Sequence, residues 1–287
     1  MHFDPPTYRN IRNAFLSELK GIMDEPEIRS VFRMVTEKYA GHAGPDLTFR
    51  LDENAGPDIL CRYRDALDQL KRSCPVQYLL KEARFYGLVF RVAEGVLIPR
   101  PETEELVRWV VEDHRGCGPL RIMDIGTGSG CIAVSLSLHL PGADVDALDI
   151  SARAIEIASY NAWKYHAGVR FFKADILNHE NLDFLTDYDI LVSNPPYVRA
   201  CEKKWMRQNV LRYEPEEALF VKDDAPLVFY DAVLGFAEKH LKPGGHIYAE
   251  INESLAGDVM EKGRQKGYAE VVLKQDMHGR DRMLRFS

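Results

Sequence analysis

Leu120 to Leu140 reads LRIMDIGTGSGCIAVSLSLHL, and this stretch decides the fold. LRIMDI is a short, mostly apolar run of strand length. Glycines then stand at every second position, Gly126, Gly128 and Gly130, and SGCIAVSLSLHL reads as a helix beginning at about Ser129. Glycines at a strand-to-helix junction let the chain turn sharply and let a ligand lie against bare backbone, while first-turn N–H groups offer donors. About twenty-three residues after Gly126, a second strand, ADVDALDI, carries Asp149 near its end. A carboxylate there can accept two hydrogen bonds from a ribose diol. A glycine loop alone is as readily a device for tight packing, but strand, loop, helix, strand and acid in this order predict a nucleoside site.

The loop itself narrows the ligand. It lacks the lysine of G-x-x-x-x-G-K-[ST], which disfavours a nucleoside triphosphate. Counting from Gly126, the sixth position is Cys131, so the dinucleotide pattern G-x-G-x-x-G is not met either. S-adenosylmethionine has a ribose and an adenine but no pyrophosphate, and its cationic sulfonium tolerates carboxylates such as Asp124. A methyl donor is therefore preferred over NAD.

Beyond the second strand the alternation continues. ARAIEIASYNAWKYH reads as a helix, VRFFKADI and YDILVSN as strands, APLVFYDAVLGFAEKHL as a helix and GGHIYAEIN as a strand. Such alternation implies parallel strands joined by right-handed crossovers in a doubly wound sheet. YAEVVLKQD and RMLRFS, around the turn residues His278 and Gly279, predict a terminal antiparallel hairpin at the sheet edge. Upstream, ARFYGLVFRVAEGVLIP predicts a β-hairpin linker over residues 82–98. Before it, Ile11, Phe15, Leu19 and Ile22, then Ile28, Phe32, Val35 and Tyr39, then Leu60, Tyr63, Leu67 and Leu70 recur at helical spacing. The expected organisation is a small helical domain over 1–81, the linker, and an α/β domain over 99–287.

The exit from the fourth strand of the sheet, Ser193-Asn-Pro-Pro-Tyr-Val198, is unusual. Pro195 and Pro196 stiffen it and remove two backbone donors, leaving carbonyls that must find partners elsewhere. A rigid strand exit with no chemistry stays open on these six residues alone. In a doubly wound sheet, however, ligands sit outside the carboxyl ends of the strands, so this segment faces the same site as the glycine loop. An amide or aryl NH2 is a poor nucleophile because its lone pair is delocalised. If the Asn194 side-chain oxygen and the Pro195 carbonyl each accept one N–H, the lone pair is released, and Tyr197 can stack on the planar group. Catalysis is then orientation and hydrogen bonding, with no His or Cys nucleophile.

Composition sets outer bounds. The 287 residues are 46% apolar and 28% charged, which is ordinary for a globular chain with a real core. A net charge of -7 and a pI of about 5.8 argue against a broad nucleic-acid or anionic-membrane surface. Five scattered cysteines without a C-x-x-C pair, and no H-E-x-x-H, point to a reduced protein with no disulfide framework and no metal site. No leader pattern or membrane-length apolar run stands in the sequence, so a cytoplasmic location is expected, and no leftover heptad argues for more than a monomer.

N-P-P-Y after a strand, downstream of G-x-G-x-G and an acid, resembles the class I methyltransferases of planar nitrogens. More specifically, PVQYLLKEARFYGLVFRVAEGVLIPRPETEELV (residues 75–107), DIGTGSGCIAVSLS, SNPPYV, YEPEEAL, LKPGG and HGRDRM resemble the HemK/PrmC family, the glutamine N5-methyltransferases of peptide chain release factors. The likeness runs nearly continuously from Pro75 to the C-terminus. It implies a class I, Rossmann-like methyltransferase sheet behind a helical substrate-binding domain, S-adenosylmethionine as cofactor with S-adenosylhomocysteine as product, and a release factor as partner, methylated on the glutamine of its Gly-Gly-Gln loop. Carried onto this chain, Gly126, Thr127, Gly128, Ser129 and Gly130 line the methionine part, Asp149 holds the ribose, and Asp175 and Ile176 lie by the adenine. Several relatives carry an aromatic residue where this chain has Ile176. Asn194, Pro195, Pro196 and Tyr197 bind the substrate glutamine, Asn194 also bordering the cofactor. IPRPETEEL starts a helix with Glu102 and Glu104 in its first turn, where carboxylates suit the helix dipole.

Three rivals bear on this expectation. An adenine-N6 DNA methyltransferase shares both motifs but needs a target-recognition region and a basic cleft, and the only insertion after the motif, RACEKKWMRQNVLR, is short. A ribosomal-protein glutamine methyltransferase is nearer, and IPRPETE is more like the release-factor branch. A non-enzymatic binding module would be expected to carry a damaged loop or motif, and both are intact.

Overall fold

The computed structural model describes residues 5–182, 185 and 187–287. It divides into two compact units, one running through Glu82 and including Arg207–Tyr213, the other formed by Ala83–Met206 and Glu214–Ser287.

The first unit is helical: Tyr8–Glu18, Glu25–Ala40, Gly44–Phe49, Pro57–Lys71 and Val76–Leu80, with the later short helix Gln208–Tyr213. Local chemistry sets the ends. Thr7 and Asp24 accept from the backbone N–H groups of Asn10 and Glu27, and Gly41 closes the second helix in the left-handed region. The apolar stripes meet around Tyr63, a fully buried ring in edge contact with Phe15 and Tyr39 and stacked on Phe32. Its hydroxyl donates to Thr36 Oγ1 at 2.8 Å, and that hydroxyl donates to the Phe32 carbonyl, so the buried polar atoms are satisfied. Ile22, expected on the buried face, is 43% exposed because the first helix stops at Glu18 and the helical period stops with it. Arg207–Tyr213 is held by Arg207 to Glu27 and by the Tyr213 hydroxyl, which donates to the Arg72 carbonyl at 3.0 Å.

The second unit opens with a hairpin, β1 (Glu82–Phe85) and β2 (Leu88–Arg91). Its central residues, Tyr86 and Gly87, both have positive φ, as a tight primed turn requires. The sheet follows: β3 (Arg121–Ile125), β4 (Asp144–Asp149), β5 (Val169–Lys173) and β6 (Tyr188–Ser193), then, after the short parallel pair β7 (Val198–Arg199) and β8 (Phe220–Val221), β9 (Leu241–Glu250), β10 (Val271–Gln275) and β11 (Asp281–Phe286). The order across the sheet is β10-β11-β9-β6-β3-β4-β5, with β3, β4, β5, β6 and β9 parallel and the last hairpin antiparallel. This is the doubly wound parallel sheet with a terminal antiparallel hairpin that the alternation predicted. The final strand β11 lies inside, against β9, and leaves β10 at the edge. Asp276 organises the turn between them, accepting from the N–H groups of His278 and Arg280 and from Arg282 Nε.

The central strands β3 and β6 are buried on both faces, and their successive residues enter opposite layers. Met123, Leu191, Ile247 and Leu284 pack against the helix Val228–His240, whereas Ile122, Ile190, Val192 and Tyr248 pack against Pro101–His114 and Cys131–His139. A helix at Ala256–Gln265 was not assigned from the sequence; it buries Ala256, Val259 and Gly263. Gly263 is there to admit Phe286: a Cβ at that position would stand 2.3 Å from the ring.

Candidate active site

The glycine loop leaves β3 and enters the helix Cys131–His139, with Gly126, Gly128 and Gly130 all at positive φ. The N–H groups of Gly126 and Thr127 both donate to the Leu148 carbonyl at 2.9 Å, tying the loop to β4. Added side-chain carbons at Gly126 and Gly128 would meet nothing within 4 Å, while one at Gly130 would stand 2.9 Å from Ala158 Cβ. The first two glycines thus open the loop to the cavity, and the third lets it press against the next helix. Asp124 lies wholly buried beneath, its Oδ2 accepting from Thr127 Oγ1 at 2.6 Å and from the Ala133 N–H at 3.1 Å, and its Oδ1 has no partner among the described residues. Burial pushes this carboxyl up to about 7 against those two hydrogen bonds. Cys131 is buried beside it and pushed up to about 12, which keeps it a neutral thiol.

Asp149 ends β4 with one oxygen accepting the Gly128 N–H at 2.9 Å and the other the Ser151 N–H at 2.8 Å. Burial raises its pKa, and the backbone N–H groups of Ser151, Gly128 and Ile150 oppose the rise. With about four acceptor sites on the carboxylate and three backbone N–H groups on it, acceptor capacity is left for a ligand. Asp175 and Ile176, expected to end the third strand, follow it instead: β5 stops at Lys173 and Asp175 caps a 3-10 turn, accepting from the Leu177 N–H and from Asn178 Nδ2.

At the exit of β6, Asn194 Nδ2 donates to Thr103 Oγ1 at 3.0 Å. That hydroxyl donates to Glu250 Oε2 at 2.6 Å, and the Tyr197 hydroxyl donates to Glu250 Oε1 at 2.7 Å. Glu250, at the end of β9, is 1% exposed, and burial raises both its pKa and that of Tyr197. No group among the described residues donates to the Pro195 carbonyl or to Asn194 Oδ1.

These elements surround one cavity of about 690 Å³, within the range of small-molecule sites. Gly126 to Ser129, Asp149, Asp175, Ile176, Asn194, Pro195 and Pro196 line it; Gly130 stands behind the loop, and Tyr197 turns away to Glu250. Arg100 and Thr103 line it too, at the start of the helix Pro101–His114. Glu214 holds that segment, accepting from the Ile98 N–H at 3.1 Å and from Arg100 Nη2 at 2.7 Å. Glu104, by contrast, is not among the lining residues.

Several contributors had no role assigned from sequence: Thr103, Glu250, Asn161 and, beyond its motif, Glu214. Asn161 is fully buried, donating to the carbonyls of Arg91 and Ser129 and accepting from the Arg91 N–H, so it joins the hairpin to the glycine loop. A lone carboxamide on an otherwise apolar helix face, next to Ile157, Ala158 and Ala162, was the available signal.

Residues 106–216 match the Methyltransferase small domain profile. Proteins named release factor glutamine methyltransferase share extensive sequence with this chain. One from Flavobacterium psychrophilum is 41% identical over 280 residues, 96% of this chain and 98% of that protein. Another from Bacteroides thetaiotaomicron is 44% identical over 240 residues, 82% of this chain and 85% of that protein. The chain belongs to the release factor glutamine methyltransferase family. Among solved structures, the hMettl16 catalytic domain in complex with MAT2A 3'UTR hairpin 1 superposes with a TM-score of 0.56 at 19% identity, covering 87% of each chain, a likeness of fold. In this chain the matched profile spans the glycine loop, Asp149, Asp175 and the Asn194–Tyr197 exit, while Thr103 and Glu250 fall outside it.

Proposed function

We propose that this chain methylates the N5 amide nitrogen of the glutamine in the Gly-Gly-Gln motif of peptide chain release factors, using S-adenosylmethionine. The observation that carries the reading is the pair of acceptors at the end of β6. Asn194 spends its NH2 on Thr103, and among the described residues neither its oxygen nor the Pro195 carbonyl has a donor. Two acceptors and no donor suit a group that brings two N–H bonds and no acceptor of its own at the reacting atom, an amide or aryl NH2, and membership of the release factor glutamine methyltransferase family favours the glutamine amide.

The residues fit the cofactor. The cavity has the volume for a nucleoside with an amino-acid tail, Gly126 and Gly128 leave its floor without side chains, and the Asp149 carboxylate lines it with acceptor capacity for a ribose hydroxyl. Gly126 to Gly130 would hold the methionine part, Asp149 the ribose, and Asp175 with Ile176 the adenine side. Bound there, S-adenosylmethionine supplies an electrophilic methyl group on a cationic sulfur with a good leaving group.

The protein's own contribution is orientation. Asn194 Oδ1 and the Pro195 carbonyl draw on the two N–H bonds and weaken the resonance that withholds the lone pair. The prolines keep both acceptors from relaxing. Tyr197, fixed to Glu250, holds the exit in one conformation. No residue serves as a covalent nucleophile, in keeping with the neutral Cys131 thiol.

The test is transfer of labelled methyl from S-adenosylmethionine to a purified, unmethylated release factor, beside the same factor with its Gly-Gly-Gln glutamine replaced and adenine-containing DNA. Label is expected on the intact factor alone, at that glutamine by peptide mass analysis. Label on DNA, or on the replaced factor, would overturn the assignment.

A further inference from the structure

We propose that Thr103 and Glu250 are positioning residues that fix which way round the Asn194 carboxamide stands. The inference rests on the reading of Asn194 Oδ1 as the acceptor for the substrate amide. A carboxamide has two nearly isosteric ends, and only one serves the reaction: turned over, Asn194 would present a donor to a nitrogen that itself carries only donors.

Proton bookkeeping in the network selects the end. Glu250 Oε1 takes the proton of the Tyr197 hydroxyl at 2.7 Å and Oε2 that of the Thr103 hydroxyl at 2.6 Å. Two hydroxyl donors and the charge of Arg282 favour the ionised form of Glu250 against burial, and a carboxylate has no proton to return, so Thr103 Oγ1 has spent its single hydrogen and can meet Asn194 only as an acceptor. Its partner must be the NH2 end of the carboxamide, found at 3.0 Å. The oxygen is then left to the cavity. Thr103 and Glu250 are both almost wholly buried, so water does not compete for these bonds, and a reversed carboxamide would set an oxygen lone pair against an oxygen lone pair. The relay joins three separate elements: the first turn of the helix Pro101–His114, the end of β9 and the exit of β6. It therefore explains why a threonine, and not only a cap, stands in IPRPETE.

Thr103→Val, which keeps the shape and removes the hydroxyl, and Thr103→Ser, which keeps the hydroxyl, are compared with the parent protein in two ways. In methyl transfer to the release factor, Val is expected to lower kcat about tenfold or more, the scale of one lost hydrogen bond, with cofactor Kd little changed and a lower melting temperature because the buried Glu250 Oε2 loses its donor. Ser is expected to stay within about threefold of the parent. In the protein alone, the Asn194 side-chain NH2 protons, followed by 15N NMR, are expected to exchange with water about tenfold faster in Val than in the parent or Ser. Equal exchange in Val and Ser overturns the relay whatever the substrate proves to be; a parent that transfers no methyl to the factor while the exchange difference stands overturns the substrate reading alone.

Discussion

The Gly128 N–H donates to the Asp149 carboxylate at 2.9 Å, so the glycine loop and the acid of the next strand are one hydrogen-bonded unit. Asp149 has two duties as a result. It braces the loop through Gly128 and Ser151, and it faces the cavity as the acceptor assigned to the ribose. Replacing it with Ala removes both. Cofactor Kd, measured by titration calorimetry, is expected to rise about tenfold or more, the scale of a charge-assisted hydrogen bond. An unchanged Kd would remove the ribose assignment.

Asn194→Ala separates binding from chemistry. Turnover is expected to fall below detection while cofactor Kd stays within about threefold, since the loop and Asp149 are untouched. Equal loss of both would make Asn194 a structural residue.

Gly130→Ala meets two obstacles. The residue has a φ of 78°, and its new Cβ would stand 2.9 Å from Ala158 Cβ and 3.1 Å from the Ala158 backbone. A loss of about 2 kcal/mol or more in unfolding free energy is expected. Gly128→Ala has the strained φ without the clash and should cost less, which denaturant titration of the two variants will show.

Asp124 gives the stability a pH dependence. Its carboxyl is pushed up to about 7 in the fold, against 3.8 ordinarily, so the folded chain holds that proton more tightly than the unfolded chain does. The contribution is fully present below about pH 4 and is lost as pH rises through about 7, an upper figure of about 4 kcal/mol. Asp124→Asn should flatten this part of the curve of melting temperature against pH for the protein alone. A parent curve that does not fall over that window, or a variant curve that falls as steeply, contradicts the assignment.

Asn161→Ala strands the backbone groups of Arg91 and Ser129 that its carboxamide satisfies. A destabilisation of about 3 kcal/mol is expected, with weaker cofactor binding because the loop loses its support at Ser129. Thermal unfolding and calorimetric titration together check it.

Much of the fold was legible because its signals are local. The first strand, the glycine spacing and Asp149 lie within thirty residues of one another and predicted the loop, and the βα alternation that continues to Asn252 predicted the sheet. Where the local signal was weak the reading stopped: the helix Ala256–Gln265 carries two glycines, one of which exists only to admit Phe286 from β11. The strand expected to reach Ile176 stops at Lys173, because Asp175 uses its own carboxylate to turn the chain.

By itself, the sequence determined the backbone conformations and therefore the architecture. Positive φ at three glycines, a stiff Asn-Pro-Pro exit, and strands apolar on both faces are properties of short segments, and short segments carry their own periodicity. Which side chains complete the site was decided only by tertiary structure. Thr103 and Glu250 stand 147 positions apart, and Asn161 reaches Arg91 across 70. A hydrogen bond over such a span leaves no spacing in the chain, because folding brings the two groups together and burial alone makes their pairing obligatory.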